Sequence, residues 1–337
     1  MTGERIAVVG AGSWGTALAN LLAKKGHQTT VWSYESEVAD AINREHRNTR
    51  YLTEVDLDRR LEATSDLGEA VSGAGVILSV SPSHVTRHVM TEAAPHVSDE
   101  AVLVSASKGI EVDSLMTMAE VFEEVLPEHI AEKAAFLSGP SFALEVGRER
   151  PTAVAVASRS ETVARRVQDV FQTDYFRVYT NTDVHGVELG GALKNVMAIA
   201  CGVVDGLELG HNTRAALITR GLAEMTRLGV ALGAAPETFA GLAGVGDLIL
   251  TCTGGLSRNR SVGVELGRGR SLEDILAQMT MVAEGVRTTK SAYALAGKTG
   301  VEMPIVEEVH AVLFEGRRAA EAVVNLMTRE PKAEEWA

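Results

Sequence analysis

The sequence predicts an α/β chain in which a doubly wound, mostly parallel sheet is followed by an all-helical domain. Short β-branched runs such as residues 6–9 and 76–80 alternate with helix-length segments through the first half. This alternation is typical of a parallel sheet covered on both faces. From about residue 183 the strand-like runs stop and helical patterns take over. A chain of 337 residues is long for a single hydrophobic core and long enough to form two domains.

We therefore predict domains at residues 1–182 and 183–330, with a polar tail at 331–337. A ligand site between the two domains is the default expectation for this architecture. The predicted strands are 6–9, 28–32, 76–80, 101–105, 135–137, 153–157 and 176–179. The predicted helices are 16–25, 161–171, 183–204, 213–232, 272–279, 287–297 and 305–315, with a last helix through Met327.

A glycine-rich turn follows the first predicted strand directly and opens the first predicted helix. Its sequence is Gly-Ala-Gly-Ser-Trp-Gly, with glycines at Gly10, Gly12 and Gly15. The first glycine permits the tight turn, the second lets a pyrophosphate approach the backbone, and the third lets the helix pack closely on the strand. This context between strand and helix predicts a Rossmann-type domain that binds a dinucleotide.

The residues at the end of the second predicted strand should indicate which dinucleotide is bound. Glu35 lies about 20 residues past the glycine motif, where a carboxylate favours NAD by accepting from the ribose 2′-hydroxyl. Arg44, Arg47 and Arg50 follow, and an arginine in this region favours NADP. Both alternatives remain open from the sequence.

Composition bounds the classes of function. The formal net charge of −13 argues against a nucleic-acid binder, and an anionic substrate must be captured by a local cationic site. The two cysteines, Cys201 and Cys252, lie in apolar surroundings and are expected to be buried thiols. No targeting peptide and no uninterrupted membrane-spanning run is recognised, so we expect a cytoplasmic protein. No HxH or CxxC spacing appears, and no metal is expected.

Lys194 lies within an apolar, glycine-rich stretch with helical spacing, residues 186–201. An unpaired buried ammonium is costly, so the group must snorkel to solvent, pair with a carboxylate, or lose its proton. Two interpretations follow. Lys194 is either a surface lysine whose stem lies along the helix, or a proton-transfer lysine with a lowered pKa.

Three further polar positions stand out. Lys108 follows a predicted strand, where open α/β sheets bind ligands, although loop lysines are often simply solvated. Asp247 lies in a glycine-rich loop and is either a helix N-cap or a functional carboxylate. Ser257, Arg258 and Asn259 combine donors that suit a phosphate, or else form a polar surface loop.

Several motifs together carry a resemblance to a known family. They are VVGAGSWGTALA, SASKGIE, SGPSFA, GVELGGALKNVMAIACG, TRAALITRGLAEM, GVGDLILTCTGGLSRNR, VAEGVRTTK and VEMPIVEEV. In this order and spacing, the chain closely resembles the bacterial NAD(P)-dependent glycerol-3-phosphate dehydrogenases from residue 6 to about 327. The resemblance implies hydride transfer between NAD(P)H and dihydroxyacetone phosphate, supplying glycerol 3-phosphate for glycerophospholipid synthesis.

The resemblance also implies roles for individual residues, with Lys194 as the proton donor and acceptor. The implied cofactor contacts are Gly10, Gly12, Ser13, Trp14, Gly15, Tyr34, Tyr51, Lys108, Ala143, Arg258, Val282 and Glu284. The implied substrate contacts are Lys108, Gly139, Ser141, Lys194, Asp247, Ser257, Arg258 and Asn259.

The chain departs from the family pattern at two places. Thr53 stands where the family usually has proline, and Ser33-Tyr34 lacks the arginine or histidine often found there. Both departures bear on the contact with the cofactor's ribose.

Two other functions compete with this interpretation. One is a β-hydroxyacid dehydrogenase of the same two-domain plan, which would select a carboxylate. The other is a non-catalytic protein that senses dinucleotides, which has no need for Lys194, Asp247 and Arg258 together. A homodimer through the helical half is expected, because its apolar helices exceed what one small domain needs.

Overall fold

The computed structural model of the chain describes residues 3–279, 281–331 and 333–334. It divides into two compact units. The first comprises the residues up to Ser107 together with Met118–Val184, and the second comprises Lys108–Thr117 together with the residues from His185 onward. The domain boundaries expected at residues 182 and 330 stay predictions, and the expected tail at 331–337 lies partly outside the described residues.

The first unit is built on strands and the helices between them. Its strands are β1 (Arg5–Val9), β2 (Gln28–Trp32), β3 (Arg47–Asn48), β4 (Leu52–Asp56), β5 (Glu62–Thr64), β6 (Val76–Ser79), β7 (Val102–Ser105), β8 (Ala134–Ser138), β9 (Thr152–Ala157) and β10 (Phe176–Asn181). Its helices are α1 (Ser13–Lys25), α2 (Ser36–Glu45), α3 (Leu67–Val71), α4 (Ser83–Ala93), α5 (Met118–Val125), α6 (Glu128–Ala131), α7 (Ala143–Gly147) and α8 (Glu161–Phe171).

Eight of these strands form one sheet in the order β10-β9-β8-β7-β6-β1-β2-β5. Neighbouring strands are parallel except β8 and β9, which pair antiparallel. Every residue of β6, β7 and β8 is buried, as expected for strands covered on both faces. The predicted fold class, with a mostly parallel sheet, is therefore confirmed.

The antiparallel pair has a local cause. The connection from β8 to β9 contains only the five-residue helix α7, which is short for the helical crossover that parallel neighbours need. Three strands, β3, β4 and β5, were not predicted from the sequence, because residues 47–64 are mostly polar and their apolar pattern is weak.

The second unit is helical. Its helices are α9 (Val184–Gly206), α10 (Gly210–Ala231), α11 (Pro236–Phe239), α12 (Asp247–Thr253), α13 (Arg258–Gly267), α14 (Leu272–Ala277), α15 (Glu284–Thr299), α16 (Pro304–Phe314) and α17 (Ala319–Met327), with a π-helical turn at Leu242–Gly246. The predicted helices fall on α9, α10, α14, α15, α16 and α17. The sequence does not predict α11, α12 or α13, because this stretch is rich in glycine, which disfavours helices.

The glycines of α13 have a packing role against α9. A Cβ atom on Gly263 would lie 2.0 Å from the carbonyl oxygen of Ile199, and one on Gly202 would lie 2.1 Å from that of Arg260. The two helix backbones are therefore in direct contact, which only glycine permits. This contact fixes the start of α13, where Arg258 lies, against the helix that carries Lys194.

α9 is the core helix of the second unit. Among the described residues, α9 is the one helix that is long and apolar enough to span a bilayer by itself. A second candidate exists only if Pro236–Thr253 and Arg258–Gly267, which are bent relative to each other, are counted as one span. The apolar window of α9 is entirely buried in the protein. α9 is therefore a buried core helix. Cys201, on α9, and Cys252, on α12, are buried and free, which confirms the expected thiols.

Replacing Gly263 with alanine tests the contact between α9 and α13. The added Cβ would lie 2.0 Å from a backbone oxygen, so we expect Gly263→Ala to lower the free energy of unfolding by about 1–3 kcal/mol. The shift of the urea midpoint, followed by circular dichroism, measures this. Gly297→Ala is the matched control: nothing lies within 4 Å of its added Cβ, so it should stabilise α15 by about 0.5–1 kcal/mol. Equal midpoints for wild type and Gly263→Ala would contradict the contact.

Candidate active site

The glycine turn of the first unit has the shape that a pyrophosphate needs. Gly10 has φ of +124°, a conformation that favours glycine. A Cβ on Gly15 would lie 1.9 Å from the carbonyl oxygen of Gly10, so α1 packs directly on the turn. Gly12 is exposed, and nothing lies within 4 Å of the position of a Cβ there. The backbone at the start of α1 is therefore open to an anion, and the loop fits a dinucleotide.

Trp14 and Ser13 occupy the first turn of α1. The indole N–H of Trp14 is buried and has no hydrogen-bond partner among the residues that the structure describes. An unpaired buried donor beside an anion site is consistent with a contact to a ligand. The Ser13 hydroxyl donates to the carbonyl oxygen of Tyr51 at 2.6 Å, so it connects the glycine turn to the segment after β3.

The buried residue Asn48 makes a second connection between the same two segments. Its side-chain N–H donates to the carbonyl oxygen of Ala11 and to the Thr16 hydroxyl, both at 2.8 Å. Its side-chain oxygen accepts from the backbone N–H of Tyr51 at 2.8 Å. Asn48 was not predicted. A lone asparagine in a polar stretch carries no sequence signal for such a role.

Residues at the end of β2 form a cluster with the segment after β3. Tyr51 donates its hydroxyl proton to Glu35 Oε1 at 2.6 Å, and the guanidinium of Arg50 lies 5.2 Å from the centre of the Tyr51 ring. Burial and the neighbouring Glu35 raise the pKa of Tyr51. Tyr34 is 84% exposed. Thr53, one of the departures from the family pattern, is an exposed residue of β4.

The loop after β8 contains the predicted substrate contacts Gly139 and Ser141. Gly139 has φ of +149°, and a Cβ there would lie 2.9 Å from Val154 Cα, so glycine is required. The Ser141 hydroxyl donates to the carbonyl oxygen of Gly139 at 2.9 Å. Ala143, a predicted cofactor contact, is the first residue of α7.

The second unit brings two lysines onto one carboxylate. Lys194 Nζ on α9 lies 2.5 Å from Asp247 Oδ1, and Lys108 Nζ lies 2.6 Å from Asp247 Oδ2. Lys194 also donates to the hydroxyl of Thr251 at 2.9 Å. Lys194 is 6% exposed and Asp247 1% exposed. The alternative of a snorkelling surface lysine is therefore wrong for Lys194, and Lys108 is not a merely solvated loop residue.

The charges of this cluster set its pKa values. Burial lowers the pKa of Lys194 to about 7; Asp247 opposes this effect, and the ammonium group of Lys108 adds to it. Burial alone would raise the pKa of Asp247, but the two ammonium groups outweigh it and hold that pKa below its ordinary value. Lys194 can therefore gain and lose a proton near neutral pH while Asp247 stays ionised.

The N-cap interpretation of Asp247 is wrong, and its function as a carboxylate stays a prediction. Gly246, not Asp247, is the N-cap residue of α12, and the Asp247 side chain contacts the lysines. Thr251 was missed in the sequence analysis. It lies four residues after Asp247 on the same helix, so a prediction of α12 would have placed the two side chains on one face.

Ser257 is the N-cap residue of α13, and Arg258 and Asn259 are its first two residues, so the alternative of a polar surface loop is wrong in its secondary structure. The Ser257 hydroxyl caps the helix by accepting from the backbone N–H of Arg260 at 3.2 Å. Asn259 is buried; its side chain donates to Asn195 Oδ1 at 2.8 Å and accepts from the backbone N–H of Gly285 at 2.9 Å. Asn259 therefore links α9, α13 and α15.

Arg258 is an exposed residue by surface area. The protein around its guanidinium nevertheless lowers its pKa, and Glu284, the first residue of α15, opposes that effect. Because the Arg258 side chain is exposed, its guanidinium is open to a ligand. Val282, two residues before Glu284, is 38% exposed. A helix N-terminus combined with an accessible arginine is suited to a phosphate.

Comparison with known proteins identifies the family. A family model described as the NAD-dependent glycerol-3-phosphate dehydrogenase N-terminus matches residues 5–164, and one described as the C-terminus of the same enzyme matches residues 183–324. The glycerol-3-phosphate dehydrogenase (NAD(P)+) of Citrifermentans bemidjiense is 61% identical over 331 residues, which cover 98% of this chain and 99% of that protein. The chain belongs to the NAD(P)-dependent glycerol-3-phosphate dehydrogenase family.

Other relatives agree with this assignment. The glycerol-3-phosphate dehydrogenase (NAD(P)+) of Myxococcus xanthus is 54% identical over 330 residues, which cover 98% of each chain. The crystal structure of glycerol-3-phosphate dehydrogenase from Coxiella burnetii superposes with a TM-score of 0.93 at 41% identity and covers 98% of this chain and 100% of that one. The family predicted from the sequence motifs is confirmed.

Replacing Asp247 with asparagine tests the electrostatics of the cluster. Asp247→Asn removes the negative charge that favours the ammonium form of Lys194, so we expect the pKa of Lys194 to fall by about one pH unit or more. Mass spectrometry can follow the pH dependence of Lys194 modification by a small amine-directed reagent, which reacts with the neutral amine. Thr251→Val is the comparison variant. It removes only a neutral hydrogen-bond acceptor, so the pKa of Lys194 should fall by less than in Asp247→Asn. An unchanged or raised pKa in Asp247→Asn would contradict the proposed balance.

Proposed function

We propose that this glycerol-3-phosphate dehydrogenase interconverts dihydroxyacetone phosphate and sn-glycerol 3-phosphate with Lys194 as its proton donor and acceptor. The observation that carries the assignment is the buried Lys194–Asp247–Lys108 cluster, in which the Lys194 amine lies 2.5 Å from Asp247 and has a pKa of about 7. A general acid and base works best when its pKa is near the operating pH.

The proposed chemistry divides between the cofactor and the chain. Bound NAD(P)H supplies the hydride for carbonyl carbon C2 of dihydroxyacetone phosphate. Lys194 Nζ donates a proton to the carbonyl oxygen as negative charge develops there, and in the opposite direction neutral Lys194 takes the proton from the C2 hydroxyl. Lys108 adds positive charge beside the same oxygen, and it lowers the pKa of Lys194.

The phosphate of the substrate is assigned to the start of α13. Arg258 would hold it with two parallel hydrogen bonds, assisted by Ser257 and Asn259. The accessible guanidinium and the capped helix N-terminus support this role. Binding a remote phosphate would position the carbonyl for reaction. Gly139 and Ser141 are proposed as further substrate contacts.

The dinucleotide is assigned mainly to the first unit. Gly10, Gly12 and Gly15 would accommodate its pyrophosphate, as the open backbone at Gly12 supports. The remaining proposed cofactor contacts are Ser13, Trp14, Tyr34, Tyr51, Lys108, Ala143, Arg258, Val282 and Glu284.

The competing functions fit the site less well. A β-hydroxyacid dehydrogenase would select a carboxylate, whereas a helix N-terminus with an accessible arginine suits a phosphate. A dinucleotide sensor without catalysis has no use for a buried lysine with a pKa near 7. Oxidation of NADH or NADPH on addition of dihydroxyacetone phosphate, followed by absorbance of the reduced nicotinamide, distinguishes the proposed function from both alternatives.

The cellular role is proposed from the family to which the chain belongs. Glycerol 3-phosphate made by the enzyme would supply glycerophospholipid synthesis in the cytoplasm. We also propose that the chain forms a homodimer through its helical unit.

Replacing Lys194 with alanine removes the proposed proton donor. We expect Lys194→Ala to lower the rate of reduction by about 10²–10⁴-fold, while NADH still binds. In the wild type, the reduction rate should fall as pH rises through about 7, because the ammonium form of Lys194 is then lost. The oxidation rate should rise over the same range. Lys298→Ala, at an exposed position of α15, is the control and should retain full activity. A nearly active Lys194→Ala variant would exclude Lys194 as the proton donor.

Replacing Arg258 with alanine tests the phosphate contact. Charge-assisted hydrogen bonds contribute enough binding free energy that their loss should raise KM for dihydroxyacetone phosphate roughly 10- to 100-fold. The dissociation constant for NADH should change much less, since the pyrophosphate is assigned to the first unit. Arg268→Ala, which removes an exposed arginine just past the end of the same helix, is the matched control. Equal changes in the two constants would argue against the assignment.

A further inference from the structure

We propose that Glu35, held by Tyr51 and Arg50, selects the cofactor's ribose 2′-hydroxyl over a 2′-phosphate, so that the enzyme prefers NADH to NADPH. This inference rests on the proposed cofactor site in the first unit. It decides between the two alternatives that the sequence leaves open at the end of β2.

Glu35 occupies the place where Rossmann-type domains recognise the ribose. It follows β2 and lies 20 residues after Gly15, the last glycine of the motif. It is the N-cap residue of α2, but its side chain makes no capping hydrogen bond. The carboxylate is therefore not used by its own helix, and its side chain is 24% exposed.

Tyr51 holds the Glu35 carboxylate in position. The Tyr51 hydroxyl donates to Glu35 Oε1 at 2.6 Å. Tyr51 is itself fixed to the glycine turn from two sides, through the Ser13 hydroxyl at its carbonyl oxygen and through Asn48 at its backbone N–H. The distance from the pyrophosphate loop to Glu35 is thus set by hydrogen bonds within one unit. A carboxylate has two acceptor oxygens, so Glu35 can accept from Tyr51 and from a ribose hydroxyl together.

The arginines that could bind a 2′-phosphate are already paired with carboxylates. Arg50 Nη1 lies 3.5 Å from Glu35 Oε1 and 3.8 Å from Glu37 Oε1. The other two candidates are also paired, Arg47 with Asp56 at 2.6 Å and Arg44 with Asp40 at 3.8 Å.

The local charge therefore opposes a phosphate. One guanidinium, that of Arg50, is shared by the two carboxylates of Glu35 and Glu37, which leaves a net charge of −1 for the three groups. A phosphate monoester adds about −1.5 to −2 at neutral pH. Repulsion at contact distance in a partly exposed site is large enough to weaken binding of NADPH by about tenfold or more. Ser33 and Tyr34, the two residues before Glu35, add no cation at this place.

Direct binding measurements test the inference without catalysis. The full-length protein is titrated with NADH and with NADPH, without dihydroxyacetone phosphate, and nicotinamide fluorescence gives each Kd. We expect the wild type to bind NADH about tenfold or more tightly than NADPH. Glu35→Gln keeps a hydrogen-bond acceptor for the 2′-hydroxyl but removes the charge. It should bring the Kd for NADPH down to within a few-fold of that for NADH.

Glu54→Gln is the matched control. It removes one carboxylate from the same unit, on β4, where Glu54 pairs with Arg148 and is 60% exposed. Its ratio of the two dissociation constants should equal that of the wild type. The wild-type ratio tests the inference even if Glu35→Gln folds poorly.

Two results would overturn the proposal: a wild type that binds NADPH at least as tightly as NADH, or a Glu35→Gln variant whose ratio matches that of Glu54→Gln. Both results leave the dehydrogenase function intact. Failure of the wild type to bind either dinucleotide would instead overturn the cofactor site as well.

Discussion

The buried carboxylate of Asp247 is the interaction on which the proposed chemistry depends. Two ammonium groups, from Lys194 and Lys108, lie within hydrogen-bond distance of its two oxygens. Without this carboxylate, desolvation and mutual repulsion would drive at least one lysine to its neutral form. Burial lowers the pKa of Lys194 to about 7; the carboxylate of Asp247 opposes this effect, and the ammonium group of Lys108 adds to it.

The two units contribute different kinds of groups to the proposed sites. The glycine turn of the first unit offers backbone N–H groups and open space. A pyrophosphate would fit there because the glycines have no side chains to block it. The second unit offers charged side chains on rigid helices, which hold a reacting group in place better than loops do. Close contact between α9 and α13 through glycine brings the proposed acid and the proposed phosphate contact onto one rigid support.

The sequence predicted the fold class well because central strands such as β6 and β7 are fully buried and form short apolar runs that contain β-branched residues. It failed where tertiary contacts override local pattern. Gly263 lowers the helix propensity of α13, yet that same glycine is needed for α13 to touch α9. Lys194 could be singled out as a candidate site residue, because a charge within an apolar helix is costly unless it pairs or loses its proton. Thr251 and Asn48 could not, since hydroxyl and amide groups are common in every environment.

The course of the chain between the two units has a practical consequence. β7 ends at Ser105 in the first unit, and Lys108–Thr117 then belongs to the helical unit, where the Ser291 hydroxyl donates to the carbonyl oxygen of Ile110 at 3.1 Å. The chain afterwards rejoins the first unit at Met118, the first residue of α5. A gene fragment that encodes only the C-terminal half would therefore lack Lys108, leaving Asp247 with one ammonium group instead of two. Exchange of the helical unit between relatives therefore needs more than one crossover, because a single crossover before Lys108 would also transfer Met118–Val184 of the first unit.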